Sequence, residues 1–179
     1  MKSALKKARK FDLLYPQDLI AQRIKEIGAR ISQDYAGKEP ILIGVLKGCV
    51  VFMADLIRAI SEPMELEFIS ASSYNNGITA SDKVIMNGGP DVPIENRHLL
   101  LVEGVVDSGN TVESIIKKLQ FQKPASIEIV TLLDKPDGRE TDLSVKYIGF
   151  TAGDDFVIGF GLDVDQRYRN LPFIGKVIE

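Results

Sequence analysis

Residues 98–111 read HLLLVEGVVDSGNT, and the fold turns on how this stretch is read. Leu99, Leu100, Leu101 and Val102 make a short, unbroken apolar run closed by a turn signal. That is the pattern of a strand buried on both faces of a parallel sheet. A carboxylate, Glu103, stands at the end of the run. Gly104, two valines, a second carboxylate (Asp107) and the small polar set Ser108, Gly109, Asn110 and Thr111 follow. Val112, Ile115, Ile116 and Leu119 then recur at the i, i+3, i+4, i+7 spacing of one helix face. A loop of small residues therefore joins the carboxyl end of a buried strand to the amino end of a helix. The first N–H groups of a helix lack internal partners and its dipole is positive there, so such a junction attracts anions. Gly109 lets backbone approach a ligand closely, and Ser108 and Thr111 offer hydroxyls, either of which is placed to cap the helix.

Two common phosphate motifs are excluded. No Lys-Ser/Thr follows the glycine, as a Walker A loop requires, and no G-x-G-x-x-G is present. Two carboxylates beside the cradle would repel a bare triphosphate. They suit a ligand with one phosphate, hydroxyls that donate to carboxylates, and a divalent cation. The alternative is an ordinary strand–turn–helix junction with a capping hydroxyl.

Upstream, Ile20, Ile24, Ile27 and Ile31 lay one apolar stripe on a helix over 17–35, stopped by Gly37. ILIGVL (41–46) reads as a buried strand, broken by Lys47-Gly48, and 50–60 resumes a helical pattern. LEFISAS (66–72) is a further strand. YNNGITASD (74–82) has the polar, Gly-containing composition of a mobile surface loop. KVIM (83–86) is a short strand before the turn-rich NGGPDVPIEN. Downstream, SIEIVTLLD, KYIGF and FVIGFGL read as strands, and the tail ends in a short strand-like run. Strands alternating with helices imply a mainly parallel sheet with helices on both faces, hence an α/β fold. Ligands of such sheets lie outside the carboxyl ends of the strands. Lys47-Gly48, Glu103 to Thr111, and Asp134-Lys135 all fall at such ends.

The 179 residues suffice for one domain, 1–179, with the basic 1–15 a flexible or peripheral lead-in. A net charge of −3 argues against general nucleic-acid binding. No apolar run approaches the roughly 18 residues of a membrane span, and MKSALKKARK lacks the apolar core of a signal peptide, so a cytoplasmic protein is expected. Cys49 is the sole cysteine and reads as a small buried hydrophobe. His98 is the sole histidine and is given no chemistry.

VEGVVDSGNT resembles the phosphoribosyl-pyrophosphate motif of the type I phosphoribosyltransferases. From about residue 12 onward the chain is similar to the bacterial hypoxanthine-guanine branch of that family, through LKGCVVFMADL, SASSYNNG, TLLDKP, YIGF, DDFVIGFGLD and QRYRNLPFIGKV. The resemblance implies the type I fold with a small hood formed by terminal segments. It implies transfer of phosphoribosyl from 5-phosphoribosyl 1-diphosphate to hypoxanthine or guanine, Mg²⁺ as cofactor, and a homodimer or homotetramer. Whether xanthine is also taken stays open. The rival class is a regulatory protein on the same fold that senses the donor or a nucleotide and binds RNA or a protein partner. The acidic balance and the presence of Asp107, Lys135 and Phe156 disfavour it.

The resemblance also distributes roles. Glu103, Gly104, Asp107, Ser108, Gly109, Asn110 and Thr111 bind the ribose 5-phosphate, with Asp107 the general base near purine N7. For Asp107 the alternative is a carboxylate that only caps the helix. Lys47, Gly48, Ser73, Tyr74 and Arg169 bind diphosphate, with a cis Leu46–Lys47 peptide expected; for Lys47 and Arg169 the alternative is a solvated side chain. Lys135, Phe156, Val157 and Asp163 line the purine pocket, where Phe156 is either a stacking platform or plain core. Glu103 and Asp163 contact the metal. The family usually has Asp where this chain has Gly104. One carboxylate fewer is expected to weaken the grip on sugar and magnesium unless water fills the space. On that ground Gly104→Asp is expected to raise donor affinity or lower the magnesium requirement.

Overall fold

The chain alternates strand and helix: β1 (Lys10–Tyr15), α1 (Gln17–Asp34), β2 (Ile41–Leu46), α2 (Val50–Ala59), β3 (Glu65–Ser73), β4 (Val84–Asn87), β5 (His98–Val106), α3 (Asn110–Gln120), β6 (Ser126–Asp134), β7 (Tyr147–Thr151), β8 (Val157–Ile158) and β9 (Ile174–Ile178). A 3-10 turn occupies Pro136–Gly138. These elements come from a computed structural model that describes residues 10–73, 84–87 and 89–178. Tyr74 and the rest of the 74–82 stretch lie outside the described residues.

The main sheet has the order β4-β3-β2-β5-β6-β7, with β5 inside it. β3, β2, β5, β6 and β7 run parallel, and β4 closes the β3 edge antiparallel. Successive residues of β5 feed opposite cores, as the two-residue period of a strand requires. Leu100 and Val102 join the core beneath α1 and α2, while Leu99 and Leu101 join the core beneath α3. That is why the apolar run is continuous instead of alternating. The α1 stripe Ile20, Ile24, Ile27 and Ile31 is buried as its spacing predicts. Cys49 is fully buried, and burial together with the nearby Glu103 carboxylate pushes its thiol up to about 12.

The structure alters four expectations. β5 runs on to Val106, so Glu103 sits inside the strand and not at its end. Neither Ser108 nor Thr111 is the N-cap of α3: Gly109 holds that position at φ 85° and has no side chain to cap with, and Ser108 Oγ reaches only the Asn110 N–H, at 3.5 Å. FVIGFGL is strand only at Val157–Ile158, because Gly159, Phe160 and Gly161 all take positive φ (93°, 49° and 96°) and turn the chain. Lys10–Tyr15, read above with the lead-in, is a true strand. It pairs antiparallel with β9, which pairs with β8, so segments from near both ends build the small second sheet.

Candidate active site

Because β2, β5 and β6 are neighbours, their carboxyl ends bring three loops to one edge. The first is the Lys47-Gly48 turn after β2, whose Leu46–Lys47 peptide is cis. The second is Asp107 to Asn110, leading into α3. The third begins at Lys135.

A pocket of about 140 Å³ opens at the second loop, lined by Glu103, Val105, Val106, Asp107, Ser108, Gly109, Thr111 and Val112. The first turn of α3, through Thr111 and Val112, borders it, so backbone at the positive dipole end of the helix meets the cavity. Asn110, expected at the phosphate, does not line this pocket: its side-chain amide donates to Glu140 Oε2 at 2.7 Å and its backbone N–H points to Ser108 Oγ at 3.5 Å. Glu103 is partly exposed here, and burial pushes its carboxyl up to about 8, against a smaller downward pull from the Gly104 N–H.

A second pocket of about 210 Å³ adjoins the first through Val105 and Asp107, and is completed by Lys135, Phe156, Val157, Leu162 and Asp163. Lys135 is 6% exposed. Its Nζ donates to the Asp155 carbonyl at 2.8 Å and lies 3.6 Å from Asp107 Oδ2. An ammonium has three donors, so one more can be directed at a ligand. Phe156 is 57% exposed, which disposes of the core alternative and leaves a bare aromatic face beside the lysine. Asp107 is exposed and is not the N-cap of α3, so the capping alternative goes too.

The segment after β8 supplies the remaining side chains. Arg169 donates to the Gly161 carbonyl at 2.7 Å and to Gln166 Oε1 at 3.1 Å, and is ion-paired with Asp163 at 2.8 Å. It is therefore an anchored guanidinium rather than a solvated one. Asp163 also accepts from the Gln166 N–H at 2.7 Å. A Cβ on Gly161 would lie 2.4 Å from the Gly48 carbonyl oxygen, so this loop rests directly on the Lys47-Gly48 turn. Lys47 is exposed at that turn. Ser73 closes β3 on the far side of β2.

Gly104 behaves differently from its expected role. It does not line the anion pocket. A Cβ there would stand 2.8 Å from the Gly48 oxygen and 3.1 Å from Leu162 Cδ2. There is no water-sized gap at its α-carbon for a carboxylate stem to fill. The glycine serves close approach of β5 to the neighbouring turn, and an Asp at 104 would displace that turn.

Sequence reading missed a further group. Arg139 Nε donates to the Asp107 carbonyl at 2.9 Å, while its Nη2 is bonded to the Asp134 carboxylate. The Ser108 carbonyl accepts from Glu140 N–H at 2.9 Å and from Thr141 Oγ1 at 3.3 Å. Polar residues after a turn carry no signal of this docking; only the fold brings 139–141 against 107–108.

Among the described residues, no group of three or more His, Cys, Asp or Glu is placed to hold a metal by itself. Nor is any described helix long and apolar enough to cross a membrane.

A family model for the phosphoribosyl transferase domain matches residues 11–167. The hypoxanthine-guanine phosphoribosyltransferase of Bacillus subtilis strain 168 is 42% identical over 163 residues, 91% of each chain. The hypoxanthine phosphoribosyltransferase of Salmonella typhimurium LT2 is 41% identical over 169 residues, 93% of this chain and 95% of that one. A crystal structure of a hypoxanthine-guanine phosphoribosyltransferase from Bacillus anthracis, with HEPES in its active site, superposes at a TM-score of 0.90 with 40% identity, covering 96% of this chain and all of that one.

Proposed function

The chain belongs to the phosphoribosyl transferase family, and from that premise we propose that it transfers phosphoribosyl from 5-phosphoribosyl 1-diphosphate to hypoxanthine or guanine, yielding IMP or GMP and diphosphate. One observation carries the reading: the aromatic-and-lysine pocket and the uncapped-helix pocket share Asp107. A nucleotide laid across them has its base between Lys135 and Phe156 and its 5-phosphate at Ser108 to Thr111. The reacting C1′ then falls near the shared carboxylate.

In this reading purine N9 attacks C1′ as the bond from C1′ to diphosphate oxygen breaks, and the proton lost by the purine is taken by Asp107. Lys135 donates to O6 of an oxopurine. Adenine would present an amino donor there, leaving donor against donor; such mismatches reach discrimination on the order of 10⁴-fold. Phe156 stacks on the ring, and the Val157 backbone meets its edge. Lys47, Gly48 and Arg169, with Ser73 and Tyr74, receive the departing diphosphate.

Glu103, within β5, and Asp163, in the segment after β8, are single carboxylates on separate elements. Such a donor set fits Mg²⁺ that arrives with several waters and ligand oxygens, not an all-protein cage. When bound, the ion neutralises charge on the diphosphate. Assembly as a homodimer or homotetramer belongs to this reading, as does a cytoplasmic location.

The test is purine-dependent diphosphate release from the donor with Mg²⁺. Release with hypoxanthine or guanine and not with adenine is expected. Release that does not depend on an oxopurine overturns the reading.

A further inference from the structure

An anion cradle built from backbone works only if its N–H groups face the ligand and its carbonyls face away. Two carbonyls of the phosphate loop, those of Asp107 and Ser108, are tied back by one neighbouring segment. Arg139 Nε holds the first at 2.9 Å. Glu140 N–H, at 2.9 Å, and Thr141 Oγ1, at 3.3 Å, hold the second. Arg139 is itself fixed: its Nη2 is bonded to Asp134, and the side chains are only 12% and 10% exposed. Asp134 directly precedes Lys135 at the end of β6, and the Lys135 N–H donates to the Val106 carbonyl at 2.9 Å, one residue before Asp107. A buried ion pair contributes little net stability against an apolar replacement, so stability alone does not account for this one.

We propose that Arg139 is a positioning residue for the transfer reaction. Anchored on Asp134, it draws the Asp107 carbonyl out of the cradle and so fixes the loop N–H groups on the 5-phosphate. It thereby joins the phosphate grip to the strand end that carries the purine-reading Lys135. Arg139 touches no substrate in this arrangement.

The inference rests on the nucleotide placement proposed above, and the experiment separates the two. Affinities for GMP and for guanosine, which lacks the phosphate, are measured by calorimetry on the whole chain. Their ratio reports the phosphate grip alone. R139K keeps the charge beside Asp134 but cannot fork to both partners. D134N/R139Q neutralises the pair together, so no buried charge is orphaned. Losing a hydrogen bond from a charged group corresponds to roughly tenfold or more in binding, so the ratio is expected to fall about tenfold in both variants. Guanosine affinity is expected to stay within about twofold of wild type. A purely structural role would lower thermal stability and leave the ratio unchanged, and an unchanged ratio overturns the proposal. Wild-type protein that fails to bind GMP would instead sink the placement of the nucleotide.

Discussion

The two ends of the main sheet both carry dense polar clusters, yet only one has the character of a site. At the carboxyl end, α3 starts without a side-chain cap, Asp107 is exposed, and Phe156 shows a bare face. At the amino end, the groups serve one another. Tyr147 OH donates to Asp34 Oδ2 at 2.6 Å, and His98 Nδ1 lies 2.8 Å from Ser126 Oγ. Lys146 is 3.9 Å from Asp34 and 3.7 Å from Glu128, and its Nζ sits over the rings of Tyr35 and Tyr147. Polarity alone therefore does not mark a site. Charged groups and an aromatic face that still look into a cavity do.

The largest expected break in this contrast is Asp107→Asn. It retains shape at an exposed position but removes the proton acceptor, so turnover is expected to fall by about 10²–10⁴-fold while the unfolding midpoint stays put. Steady-state rates alongside a thermal melt check both halves; near-normal turnover would return Asp107 to a structural part. Lys135→Met comes next. It fills the buried space without the ammonium, and loss of a charged hydrogen bond predicts roughly 10–100-fold in kcat/KM for hypoxanthine and guanine. The KM for the donor is expected to hold. A donor KM that moves as much as the purine's would show that Lys135 does not read the base.

How much of this was legible in the sequence follows from how local each feature is. The β2, β5 and β6 runs announced themselves because strands buried on both faces must be continuously apolar. Their parallel run followed from the alternation of helix and strand, which placed Lys47, Asp107 and Lys135 at carboxyl strand ends; their adjacency appears only in the sheet order. The exposure of Phe156 was not legible, because an aromatic beside apolar residues reads equally as core. FVIGFGL misled for a similar reason: it has strand composition, but the glycines on either side of Phe160 carry a turn. Arg139 was invisible because its partner carbonyl is 32 residues away in the chain, and a polar turn segment has no periodicity to betray its contacts. Gly104 showed the opposite error. The glycine was read as a missing carboxylate, but its packing against the Gly48 carbonyl is a fact of three dimensions.

A smaller effect sharpens the contrast from within the site. Burial first, opposed by the Gly104 N–H, leaves the Glu103 carboxyl raised from 4.5 to about 8 in the ligand-free protein. The folded state then keeps this proton between about pH 4.5 and 8, where the unfolded chain has lost it. The folded state binds more protons across that window, so the contribution of Glu103 to stability declines as pH rises and levels off above it. Solvent that reaches the partly exposed carboxyl reduces the size of the decline. Urea midpoints of wild type and Glu103→Gln, taken without ligands, are expected to diverge progressively, the variant gaining relative stability toward pH 8. Parallel midpoints would mean that Glu103 is as well solvated folded as unfolded.

The smallest expected effect comes from the other end of the sheet. Tyr147 is 1% exposed, and burial together with its bond to Asp34 pushes its phenol well up, so it stays a donor at any ordinary pH. Tyr147→Phe deletes that donor together with its hydrogen bond to the Tyr35 side chain. Asp34 keeps Lys146 nearby and is itself partly solvated, so the loss is expected at the low end for a hydrogen bond to a charged group, about 1–2 kcal/mol by chemical denaturation. The same variant is expected to bind GMP and turn over purine as wild type does. A cluster whose donors are spent on its own neighbours transmits nothing to a ligand at the opposite edge. If Tyr147→Phe lowered purine turnover without unfolding the chain, the two ends would be coupled through β5 and β6, and the division between a closed network and an open site would have to be abandoned.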